Sequence, residues 1–88
     1  MTIDELFGMD SLPHRIKINL ITADDAIRFV NKIAKYVGDD DVIIKLVDKA
    51  NWVINAKSLL GCMTAVEWKE VWVYSNIDIY TQIEEFAA

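Results

Sequence analysis

Along residues 16–20, Ile-Lys-Ile-Asn-Leu, apolar and polar side chains alternate with the period of two expected of a strand with one buried face. From Thr22 the period lengthens. Ala26, Phe29, Val30, Ile33, Ala34 and Val37 recur at helical spacing, so a first helix is predicted from Thr22 to Gly38, which is placed to end it. The hydroxyl of Thr22 can cap that helix, and Asp25 stands three residues on, where a capping box needs its acid. Asp39-Asp40-Asp41 reads as a turn. Residues 42–47 and 52–56 read as two strands of an antiparallel hairpin, with Asp48-Lys49-Ala50-Asn51 as the connection. Residues 58–68 predict a second helix and residues 71–74 a fourth strand. Residues 76–88 predict a third helix, with Ile79, Tyr80, Ile83, Phe86 and Ala87 on one face.

The element order is therefore βαββαβα. Each helix has a single apolar stripe to bury, which a single layer of mostly antiparallel sheet with all helices on one face can satisfy, giving an α+β fold. The other sheet face is expected to be more polar, and Trp52, Trp68 and Trp72 are expected to be core or sheet-packing residues. Residues 1–13 read as an amino-terminal arm ahead of a single domain at 14–88. In the arm, acids mix with Leu6, Phe7 and Met9, and Pro13, the only proline, closes it. Two readings of the arm stand, a short helical turn folded against the body or an exposed docking hook.

Composition narrows the function. The net charge is −5 and the nine Lys and Arg residues are scattered, so nucleic acids and anionic membrane surfaces meet repulsion without a basic stripe. No apolar run approaches the roughly 18 residues of a membrane span, and the acidic start does not read as a secretory signal, so a cytoplasmic protein is expected. Cys62 is the sole cysteine and reads as a buried thiol. The triple aspartate lacks the spaced ligands and closing glutamate of a calcium loop. With three glycines, no Gly-rich phosphate loop and no Cys/His pair, the chain shows no catalytic set and implies no cofactor. Glu84-Glu85 reads as a solvated helix face, not an acid–base pair.

The element order, the stretch "RFVNKIAKY" and above all "NAKSLLGCM" resemble the histidine-containing phosphocarrier protein HPr of the sugar phosphotransferase system, over residues 16–88. The resemblance implies an open-faced β-sandwich with sheet order 1-4-2-3. It also implies that the second helix shows apolar side chains to solvent as a docking surface for partner proteins, here Leu59, Leu60 and Met63. Ser58 falls on the serine that certain bacterial members have phosphorylated by an ATP-dependent kinase. Independently of that likeness, a serine ahead of an apolar helical run is a natural N-cap, worth about 0.5–2 kcal/mol. A phosphate there would face the positive end of the helix dipole.

One departure bears on function. The phosphocarriers join strand one to helix one with Gly-Leu-His-x-Arg-Pro, whose histidine takes phosphate from phosphoenolpyruvate by way of enzyme I. This chain has "LITADDAIRF", about three residues shorter ahead of the helix. Laying Phe29-Val30 on the family's Phe-Val puts the histidine position on Thr22, the arginine on Asp24 and the proline on Asp25. Thr22 offers no nucleophilic nitrogen, and each carboxylate at about 4 Å from a phosphoryl group would cost about 1 kcal/mol in water. His14, the only histidine, is expected in an exposed loop ahead of strand one.

Three function readings follow. The leading one is a non-catalytic HPr-like regulatory module presenting Ser58–Met63 to a kinase, a regulator or another phosphotransferase-system component. The second is a phosphocarrier that uses His14. The third is a homodimer built on the second helix, sharing only its architecture with the family.

Overall fold

In a computed structural model the protein is described over residues 11–48 and 52–88. Most of the amino-terminal arm expected at 1–13, namely residues 1–10, lies outside the described residues with both of its readings, as do residues 49–51 of the hairpin connection; Asp48, expected in that connection, ends the second strand. Strand β1 is His14–Ile18, helix α1 Ala23–Lys32, β2 Ile44–Asp48, β3 Val53–Asn55, helix α2 Leu59–Ala65, β4 Val71–Ser75 and helix α3 Tyr80–Ile83. The four strands form one antiparallel sheet in the order β1-β4-β2-β3, and the chain is an α+β open-faced sandwich with its three helices on one face.

Alternation along the strands sorts the side chains. Ile18, Ile44, Leu46, Val71 and Val73 point to the helices, which answer with Ala26, Phe29 and Ile33 from α1 and its end, Cys62 and Ala65 from α2, and Ile79, Ile83 and Phe86 from the last segment. Phe29 and Phe86 meet edge to face, with ring centroids 5.6 Å apart and planes at 74°. Fully burying side chains of this size contributes about 1.5–3 kcal/mol each, which is what holds so small a sheet and its short helices together.

The helices are shorter than their periodicity suggests. Helix α1 stops at Lys32, and residues 34–36 tighten into a 3₁₀ turn closed by Tyr36 N–H to Ile33 O and Val37 N–H to Ala34 O. With three residues per turn instead of 3.6, Ala34 and Val37 rotate off the buried stripe and become exposed. Gly38 follows with an ordinary backbone conformation, so the end is set by the tightened turn and not by a left-handed glycine. Helix α2 gives way to turns before Trp68. The third helix is a single turn followed by a 3₁₀ turn at 84–86; Ile79, Ile83 and Phe86 are buried as expected, while Tyr80 is exposed. Chain beyond it changes role: Asn19 N–H donates to Phe86 O and Ala88 N–H to Lys17 O, so the last residues pair with the edge of β1.

Strand limits shift by one or two residues. Strand β1 begins at His14, so that histidine is the first strand residue, exposed and paired with Ser75, and not a loop residue. Leu20 leaves the strand yet stays buried in the core. Trp68 packs against the core and Trp72 against the sheet's outer face, whereas Trp52 is 68% exposed, contrary to its expected packing role. It precedes β3, the edge strand, so no neighbouring strand lies beyond it to cover the ring. The outer sheet face is also less polar than expected, because Leu12 and Val47 are buried there against Val53, Trp72 and Tyr74.

Candidate functional site

Two helix beginnings carry the residues singled out by the sequence. At the first, Thr22 has extended backbone, and its Oγ1 accepts from the Asp25 amide at 3.2 Å. Asp25 reciprocates: its Oδ2 accepts from the amides of Ile21 at 3.0 Å and Thr22 at 3.1 Å, completing the capping box. Backbone donors at the mouth of α1 are thereby held by a carboxylate of the chain itself. Arg28 Nη2 donates to Asp25 Oδ1 at 2.6 Å, Nη1 reaches Glu85 Oε2 at 3.1 Å, and Nε lies 3.4 Å from the exposed Asp24 carboxylate. Lys32 adds a looser pair to Glu85 at 3.6 Å. Asp24 and Asp25 thus share a single arginine, one helical turn further on, with Glu85.

The Ile21 amide bond, then the Arg28 side chain and the Thr22 amide, hold the Asp25 carboxyl below its ordinary 3.8. A carboxyl more acidic in the folded chain stabilises it above the unfolded value, and that contribution disappears as pH falls through the folded value. Asp25→Asn is therefore expected to cost about 1 kcal/mol near neutral pH. Urea titrations of both proteins should show the difference shrinking below pH 3.8; a difference independent of pH would show that the charge of Asp25 has no part in it.

His14 is remote from this constellation. It opens β1, whereas α1 follows the other end of that strand, and four strand steps separate His14 from Ile18 by about 13 Å. Thr22, Asp24 and Asp25 are brought together at one helix end, and His14 is not among them.

The second beginning is Ser58. Its backbone is extended, its Oγ accepts from the Gly61 amide at 3.2 Å, and its own amide donates to Asn55 O at 3.1 Å, so the expected cap is present. Behind it, helix α2 divides its apolar residues between two faces. Cys62 and Ala65 are fully buried, while Leu59, Leu60 and Met63 are 44%, 77% and 40% exposed. Gly61 lies between, and a Cβ there would come within 3.3 Å of Asn55 O and 3.4 Å of Ile54 Cδ1, so the bare backbone lets α2 sit close on β3.

Cys62 is the buried thiol its neighbours suggested. Its Sγ donates to Ala56 O at 3.1 Å, and burial pushes its pKa up to about 12. Folded protein at pH 8 should react with a thiol reagent only as fast as it opens, and urea should release one full equivalent of labelling. Rapid labelling without denaturant would contradict this packing.

Several contributors were not apparent in the sequence. Ile21 and Ile27 expose apolar side chains beside and within α1, which packs against α2. Asp24 and Arg28 are four residues apart and could have been paired on that spacing. Glu85, 57 residues from Arg28, carried no such signal. Among the described residues no group of acids, histidine and cysteine could hold a metal ion, and Asp39 uses its carboxylate to accept from the Asp41 amide at 3.0 Å. No described helix is long and apolar enough to cross a membrane.

No family model matches the chain, and no curated protein or solved structure is similar enough to match it.

Proposed function

We propose that this chain is a binding module related to the HPr phosphocarriers that has lost their histidine chemistry, works in the cytoplasm without a cofactor, and offers the Ser58–Met63 face to a protein partner. The observation that carries this reading is the division of α2. A seven-residue helix spends Cys62 and Ala65 on the core and still exposes Leu59, Leu60 and Met63 directly behind a capped, solvent-facing serine. Apolar side chains clustered at the surface are a usual mark of protein recognition.

The first helix supports the non-catalytic part of the reading. A transferred phosphoryl group would need the donors that Asp25 holds and would meet two carboxylates there. His14 is exposed at the end of β1 remote from α1. In the partner reading, Ser58 is the regulatory position: a phosphate would replace a neutral cap with a dianion beside the docking side chains.

Two labelling reactions test the proposal. With enzyme I and phosphoenolpyruvate the chain should take up no acid-labile phosphate; label that disappears in His14→Ala would establish the carrier reading instead. With ATP and the kinase that modifies bacterial phosphocarriers on serine, the native chain should be labelled and Ser58→Ala should not. Equal labelling of both would remove Ser58 from the proposal.

A further inference from the structure

Where β2 begins and β3 ends, the strands and the turn at 39–41 border a cleft of about 160 Å³, lined in part by Asp40, Ile43, Lys45, Asn55 and Lys57. Its walls are pinned by side-chain bonds to the backbone. The Asp39 carboxylate accepts from the Asp41 amide at 3.0 Å, and Asp39 O accepts from the Lys57 ammonium at 2.5 Å and from the Val42 amide at 3.2 Å. Asn76, just past β4, ties down the same corner, donating to Asp41 O at 2.7 Å and accepting from the Ile43 amide at 2.9 Å. Asn55 lies opposite Lys45 in the hairpin register, and its Oδ1 accepts from the Lys57 amide at 3.0 Å, so its Nδ2 remains a donor. The charges around the cleft do not meet. Lys45 and Lys57 are half-buried, yet neither pairs with a carboxylate among the described residues, and Asp40, exposed beside them, pairs with no cation there.

We infer that this cleft is a binding site for a small zwitterion, a free α-amino acid, whose carboxylate is received by Lys45, Lys57 and the Asn55 amide and whose ammonium faces Asp40. Both signs of charge border one small space without closing on each other, and a ligand that carries both satisfies them together. Size agrees: a cavity of about 150 Å³ holds benzene, and alanine has as many non-hydrogen atoms. Charge argues against a phosphate or other dianion, which would set its surplus charge against Asp40, and against a plain amine, which would meet two lysines. The exposed Ile43 side chain suits an aliphatic substituent on the ligand. Leu59, Leu60 and Met63 do not line the cleft, so the inference stands apart from the reading of α2.

Titration of the full, isotopically labelled chain with L-alanine, followed by amide resonances, provides the test. A ligand of this size should bind with a Kd of about 1 mM, and saturable shifts are expected at residues 40–45 and 55–57 with those of residues 23–32 unmoved. Acetate and methylammonium, each carrying one of the two charges, and inorganic phosphate should bind about tenfold more weakly. Lys45→Gln and Asp40→Asn, both at positions outside the core, should each lower the alanine affinity about tenfold. Absence of saturation at about 100 times the expected Kd would overturn the inference. So would acetate, methylammonium or phosphate binding as tightly as alanine, or an alanine affinity unchanged in Asp40→Asn.

Discussion

Phe29→Ala is expected to remove about 3–5 kcal/mol of stability, the usual cost of deleting a buried aromatic ring. A chain of 88 residues holds about 4–13 kcal/mol in all. The variant should therefore lose a large share of its stability, and circular dichroism should show the unfolding transition moved to a markedly lower temperature. The ring is fully buried, meets Phe86 edge-on and sits where α1 faces the sheet, so neighbouring side chains cannot close the void without moving the last segment. Phe29→Leu should recover much of the loss by refilling volume. A cost below 1 kcal/mol for the alanine variant would mean that α1 does not pack through this ring.

Leu60→Asp should act in the opposite way, sparing the fold and removing the interaction. The side chain is 77% exposed, so its replacement should alter stability by no more than about 0.5 kcal/mol. At the centre of a docking face, loss of an apolar anchor costs about 2 kcal/mol or more, about 30-fold in affinity. With the serine kinase as partner, kcat/KM for modification of Ser58 should fall by that factor while the melting temperature stays put. Undiminished kinase activity toward Leu60→Asp would show that α2 is not the recognition surface. A monomer–dimer equilibrium of the native chain that the variant abolishes would transfer the same face to self-association.

Strand alternation and capping chemistry made much of this structure readable in advance. Ile16-Lys17-Ile18 and Val71-Trp72-Val73-Tyr74 show their two faces directly, and Thr22 with Asp25, like Ser58, marked helix starts that the structure places at those residues. Helix ends were less legible. Ala34 and Val37 keep the helical spacing in the sequence, but the backbone has already tightened at Ile33, and periodicity carries no mark of that change. The same holds at Tyr80, where one turn of helix and one of 3₁₀ replace a long continuous helix. Trp52 misled because its residue type suits a sheet interior while its position is beside the outermost strand. At the site, the capping acid was visible from three-residue spacing, whereas the Arg28–Glu85 bond depends on how the last segment returns to α1. Long-range closure of that kind has no local signature.

The placing of β4 between β1 and β2 also governs the order in which the fold can be completed during synthesis. Residues 14–18 leave the ribosome more than fifty residues ahead of both partners of that strand, residues 71–75 and the pairing residues 86–88. A ribosome paused before residue 71 would carry the β2–β3 hairpin and α1 with Ile16 and Ile18 still unclaimed, a nascent state open to chaperones and to mispairing with a neighbouring polypeptide.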